Sequence, residues 1–118
     1  MASFEINIRE EGAGILLISV KGYFDEECGE DFSSKLDFYF RKGIDKVILD
    51  IAGCSAINSL GVVAILRTVI FVVDTCKGKF LIAGTNKLTK KVFEITGVVT
   101  MAKLVASIEE GLEQLKLG

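Results

Sequence analysis

The chain has 118 residues, half of them apolar and a quarter charged, with a net charge of −2; a chain of this length buries roughly 65–70% of the surface its unfolded form exposes. It contains no histidine, proline or tryptophan, which excludes Ser-His and Cys-His nucleophile pairs and every His-containing zinc site. The lysines are scattered and form no basic stripe to neutralise phosphates, so no nucleic-acid partner is expected.

In chain order, Phe4, Ile6 and Ile8 alternate with Glu5, Asn7 and Arg9, which predicts a half-buried strand. Gly12 and Gly14 mark a tight turn, and the apolar run 15–20 is the returning strand of a hairpin. After Gly22, the acids Asp25, Glu26 and Glu27 suit the positive end of a helix. Phe32, Leu36, Tyr39 and Phe40 recur at helical spacing through Arg41, and Gly43 ends the segment.

Residues 47–51 form a short continuous apolar run, as in a strand buried on both faces. The small and polar stretch 53–59 predicts a loop ending in Asn58 and Ser59, both good helix N-caps. Residues 60–74 are rich in Val and Ile, which favours strand, yet the stretch is too long for one. A helix ending near Gly78 is the better reading. Residues 79–83 predict a buried strand, Leu88, Val92, Phe93 and Ile95 an amphipathic helix closing at Gly97, and residues 101–105 a last strand. Ser107 caps a final helix carrying Glu109 and Glu110 in its first turn.

The order is therefore β-β-α-β-α-β-α-β-α, an α/β fold. It predicts a mixed, mostly parallel sheet with an antiparallel hairpin at its start and helices packed on it. No repeat or linker interrupts it, and one domain over residues 1–118 is expected. Cys28, Cys54 and Cys76 show no CxxC spacing and read as reduced thiols in or near the core. The N-terminal stretch lacks the pattern of a signal peptide, and the run 60–73 is too short to span a bilayer and contains Arg67. A cytoplasmic location without membrane insertion is the expectation.

Most candidate sites have a plainer explanation. Asp25, Glu26, Glu27, Glu30 and Asp31 cluster at a helix start, where acids ordinarily meet the dipole and solvent. Asp50 at a strand end suits magnesium only with companion acids, and Asp25 is the one candidate. There is no GxGxxG or GxxxxGK[ST], so neither a metal nor a cofactor is expected. The junction at Asn58, Ser59, Leu60 and Gly61 places a serine hydroxyl at a helix N-terminus on the C-terminal edge of the sheet, where open α/β sheets carry sites. Plain N-capping and phosphorylation are both compatible with that pattern.

Residues 47–62, VILDIAGCSAINSLGV, resemble the signature of the STAS domain of bacterial anti-sigma-factor antagonists: a strand, a small loop, then Ile-Asp-Ser-Ser-Gly-Leu-Gly. GYFD at 22–25, GKFLIAG at 78–84 and FEITGV at 93–98 resemble three further pieces of that family in register. The resemblance implies that Ser59 is the phosphoacceptor, modified by a partner that is both anti-sigma factor and serine kinase of the GHKL type, and restored by a serine phosphatase. It implies that the chain is no enzyme, binds the anti-sigma factor when unphosphorylated, and uses Asp25 in kinase recognition. Three residues depart from the family pattern: Asn58 for Asp, Leu60 for the second serine, Val63 for the second glycine.

On a helical wheel, Leu60, Val63, Ala64, Arg67, Phe71 and Asp74 share one side, opposite Val62, Ile65, Leu66, Val69, Val72 and Val73. The first set, beside Ser59, Asn58 and Gly61, is expected to be an apolar docking face for the partner or for a like subunit in a homodimer. Two alternatives of other kinds stand beside the antagonist. One is an unphosphorylated STAS subunit of a lipid-transport ABC-type complex, the other a small-ligand-binding STAS module.

Overall fold

A computed structural model describes residues 3 to 117. Strands β1 (Phe4–Gly12) and β2 (Ile15–Phe24) form the hairpin. Its turn places Ala13 and Gly14 at φ of +54° and +76°, the left-handed pair that matches the twist of two tightly joined strands. Helix α1 (Glu26–Arg41), β3 (Lys46–Ile57), α2 (Ser59–Ile70), β4 (Lys79–Ala83), α3 (Lys87–Ile95), β5 (Lys103–Val105) and α4 (Ile108–Leu117) follow.

The five strands lie in the order β1-β2-β3-β4-β5. The β1–β2 pair is antiparallel and the other three pairs are parallel. This is the expected mixed sheet in the expected element order. Period-two alternation then sorts the side chains. Leu16, Ile18 and Val20 of β2, Val47, Leu49 and Ile51 of β3, and Phe80 and Ile82 of β4 face one way. They pack with Phe32 and Leu36 of α1, Ile65 and Val69 of α2, and Phe93 of α3. On the other face Ile15, Leu17, Ile48, Leu81 and Val105 meet Leu115 of α4. Three helices thus cover one face, and α4 covers part of the other.

Three local expectations are corrected, and the expected helix over 60–74 is found with a change in its last turn. Residues 53–57, expected as loop, extend β3, pairing with residues 21–24 of β2 across two register shifts. That extension is held by main-chain bonds while its side chains are small and mostly exposed, so it carries no alternating signal. The helix of residues 60–74 forms despite its β-branched content, because Val62, Ile65, Val69 and Val72 all bury against the sheet. Its last turn widens into a π-turn over Phe71–Thr75, with the Cys76 amide donating to the Phe71 carbonyl at 2.9 Å. In α3 only Phe93 is buried, while Leu88 and Ile95 are exposed. The last strand is shorter than 101–105, because a 3-10 turn at Val98–Thr100 takes up the chain before Lys103.

All three cysteines are free. Burial pushes the Cys28 thiol up to about 12, helped by Cys54, Asp25 and Asp31 nearby. Burial, with Asp50, raises Cys54 to about 11. The ordinary value is 9.0, so above that pH the unfolded chain gives up these protons before the folded one does. Below pH 9.0 both states hold them and stability is unaffected; above it the folded state binds more protons and stability falls. The urea midpoint should decline as pH rises from 9.0 toward about 12, and Cys28→Ala should blunt the decline. An equal decline in that variant would remove Cys28 as its source.

Candidate functional site: two helix N-termini and the groove between them

Adjacent parallel strands β2 and β3 end side by side, with Phe24 opposite Ile57. The next residue of each, Asp25 and Asn58, caps a helix. The Asp25 carboxylate accepts from the Cys28 amide at 3.0 Å, and the Asn58 side-chain oxygen accepts from the Gly61 amide at 2.9 Å. The Asn58 amide itself donates to the Phe24 carbonyl at 3.1 Å, tying the start of α2 to the end of β2. Two positive helix ends therefore sit together at the C-terminal edge of the sheet.

Capping by Asn58 leaves Ser59 as the first residue of α2, and Ser59 is exposed. The cap is not the serine. The first turn that carries the Ser59 hydroxyl also carries the amides of Ser59 and Leu60, which there have no intrahelical acceptor. A phosphate on that hydroxyl would meet these amides and the dipole favourably.

Gly61 is buried, and a Cβ there would stand 2.1 Å from the Phe24 carbonyl oxygen. Further along, a Cβ on Gly29 of α1 would stand 2.8 Å from the Ala64 Cβ. Close approach at Gly29 and Ala64 makes the floor of a groove of about 490 Å³ between α1 and α2. It is lined by Glu26, Gly29, Glu30 and Ser33 on one side and by Leu60, Val63, Ala64 and Arg67 on the other. Leu60 (47%) and Val63 (38%) are exposed despite being apolar. The groove begins at Leu60, the residue after Ser59, with two carboxylates on one wall and one guanidinium on the other.

Of the expected site residues, the structure sets Asn58, Ser59, Leu60, Gly61, Val63, Ala64 and Arg67 along α2 from its cap to its last turn, with Asp25 at the neighbouring cap. Phe71 is not among the residues lining the groove. Its ring packs on Phe40 at the far end of α1, with centroids 5.2 Å apart. Ile70 is also exposed, outside the stripe the wheel assigned. The α1 wall was not anticipated, although a glycine inside a helix costs about 1 kcal/mol and so marks close packing. Asp50 and Asp25 do not meet at a cation site. The Asp50 carboxylate accepts from the Ala52 amide at 3.0 Å and from the Ser19 hydroxyl at 3.4 Å. Among the described residues no three His, Cys, Asp or Glu side chains gather that could hold a metal. Nor is any helix among them long and apolar enough to cross a membrane.

The model of the STAS domain matches residues 6–111. A search of curated proteins returns no match. Among solved structures, the anti-sigma factor antagonist SpoIIAA in its unphosphorylated form superposes with a TM-score of 0.80 at 17% identity, over 95% of this chain and 98% of that one. The phosphorylated form of SpoIIAA from Bacillus gives 0.77 at 18% identity, over 94% and 99%. An anti-sigma factor antagonist from Mycobacterium paratuberculosis gives 0.76 at 12% identity, over 97% and 95%. At such identities these structures establish a shared fold. With the family model spanning most of its length, the chain belongs to the STAS domain family.

Proposed function

We propose that this chain is an anti-sigma-factor antagonist whose binding is switched by phosphorylation of Ser59. Unmodified, it binds an anti-sigma factor that is also a GHKL-type serine kinase; phosphorylation releases it, and a serine phosphatase restores it. The observation that carries this reading is an exposed Ser59, relieved of capping by Asn58, one residue before Leu60 of the α1–α2 groove. SpoIIAA, of the same fold, exists in unphosphorylated and phosphorylated forms, which supports the analogy.

The switch is electrostatic. A phosphate adds about −1.5 to −2 charges next to a groove already walled by Glu26 and Glu30. The helix N-terminus stabilises that charge within the chain, while an apolar or acidic surface on the partner has to desolvate it or oppose it. Asp25 and Asn58 flank the acceptor and give the kinase an edge to recognise. Nucleotide and any magnesium belong to the kinase.

Incubation with ATP and a GHKL-type serine kinase that binds this chain, followed by mass spectrometry, should show one phosphate on the wild type and none on Ser59→Ala. A wild type that gains no phosphate, or an alanine variant that gains as much, would overturn the assignment.

A further inference from the structure

The two edges of the sheet differ sharply. At one end β5 has three residues, too short to recruit another strand. At the other, β1 has nine residues, and among the described residues its outer edge pairs with no strand. The Tyr23 amide donates to the Ser3 carbonyl at 3.0 Å. In an antiparallel ladder bonding pairs recur every second residue, so Glu5, Asn7 and Arg9 also direct their main-chain groups at β2. Those of Phe4, Ile6, Ile8 and Glu10 therefore point outward. The ladder is regular from Phe4 to Glu10, where a register shift begins. The midpoint of this stretch is Asn7.

We propose that this edge pairs with the β1 edge of a second copy of the chain, antiparallel about a two-fold axis at Asn7. Charge complementarity selects that centre. About Asn7, Glu5 of each copy stands opposite Arg9 of the other, and Ile6 stands opposite Ile8. A dyad at Ile8 would set Glu5 against Glu11, and one at Ile6 would leave Arg9 facing a serine. Only the Asn7 centre aligns the whole regular stretch on itself and forms two ion pairs.

In the lone chain Arg9 contacts Glu11 and the Asn7 amide donates to Glu5 at 3.1 Å. These contacts are exposed, and exposed pairs contribute little, so exchange for a cross-copy pair is cheap. On the helix side of the sheet, a groove of about 370 Å³ lies between β1 and α1. It is lined by Ile6, Ile8, Tyr39 and Phe38 among others, and Phe38 is 61% exposed. A second copy docked on the edge lies over this apolar strip. The α1–α2 groove uses Glu26, Gly29, Glu30 and Ser33 of α1, none of which lines the groove against β1, so pairing is independent of the proposed phosphoswitch.

The test is sedimentation velocity over a concentration series. The wild type should form a dimer. Glu5→Arg and Arg9→Glu should each weaken it roughly tenfold or more, because like charges then meet twice across the ladder. An equal mixture of the two variants should regain dimer, since every Glu5–Arg9 position again holds opposite charges. A wild type monomeric up to millimolar concentration overturns the proposal. So does a dimer indifferent to both substitutions, or a mixture that stays monomeric.

Discussion

Gly61→Ala is expected to be among the most damaging single substitutions in this chain, costing about 3 kcal/mol or more of folding stability. The added methyl would stand 2.1 Å from the Phe24 carbonyl oxygen and 2.9 Å from its carbon. Both are main-chain atoms of β2 and cannot rotate away. To relieve the overlap the first turn of α2 has to retreat from the strand. Retreat breaks the bond from the Asn58 amide to Phe24, 3.1 Å in the native chain, and misdirects the Asn58 cap on Gly61. The ordinary gain of alanine over glycine in a helix, about 1 kcal/mol, does not offset this. Urea denaturation is the measurement. An unchanged midpoint would mean that α2 does not rest on the end of β2. Because Ser59 rides on the same turn, its proposed phosphorylation should also slow in any folded Gly61→Ala protein.

Val63→Glu should have the opposite profile, a large loss of partner binding with little change in stability. Val63 is 38% exposed on the α2 wall of the groove, so removing it empties no core. A glutamate there also stands four residues before Arg67, a favourable helical pair. Substitution at such a site ordinarily moves stability by no more than about 0.5 kcal/mol. For a docked partner, however, a carboxylate enters an apolar wall that already faces Glu26 and Glu30. For a contact central to the proposed interface, the loss is about 2 kcal/mol, or roughly 30-fold in affinity for the proposed anti-sigma-factor partner. Titration calorimetry against that kinase, with thermal melting in parallel, separates the two effects. Leu88→Glu, on the exposed face of α3, is the control and should leave affinity alone. Unchanged affinity in Val63→Glu would place the docking surface elsewhere.

Sequence pattern and structure agree where one residue pattern has one physical cause. Alternation in β1, the acidic start of α1 and the apolar runs at β3 and β4 each report burial or a helix end directly. Ser107 is another such case, its hydroxyl accepting from the Glu110 amide at 3.1 Å. Disagreement arises where the cause is distant in sequence. The extension of β3 to Ile57 depends on the bulged edge of β2, and no local pattern encodes a partner's backbone. Leu88 and Ile95 are apolar at helical spacing, yet α3 buries only Phe93, because no second layer reaches its outer side. Phe71 falls on the right side of a wheel drawn at a constant turn. The π-turn that begins there and the Phe40 ring draw it away from the groove.

Length, composition and charge by themselves exclude histidine chemistry and argue against a nucleic-acid partner. The order of elements, the helix after Asn58 and the serine at its start are legible in the sequence too, because each depends on neighbouring residues alone. Three features are decided only by the tertiary structure. It joins the caps of α1 and α2 at one sheet edge, since adjacency of β2 and β3 is a property of strand order. It builds one wall of the groove from α1, which Gly29 lets approach Ala64. And among the described residues it leaves the outer edge of β1 without a partner, with Asn7 at the middle of its regular ladder. Local forces write the elements into the sequence; which surfaces remain open depends on what every other element has already covered.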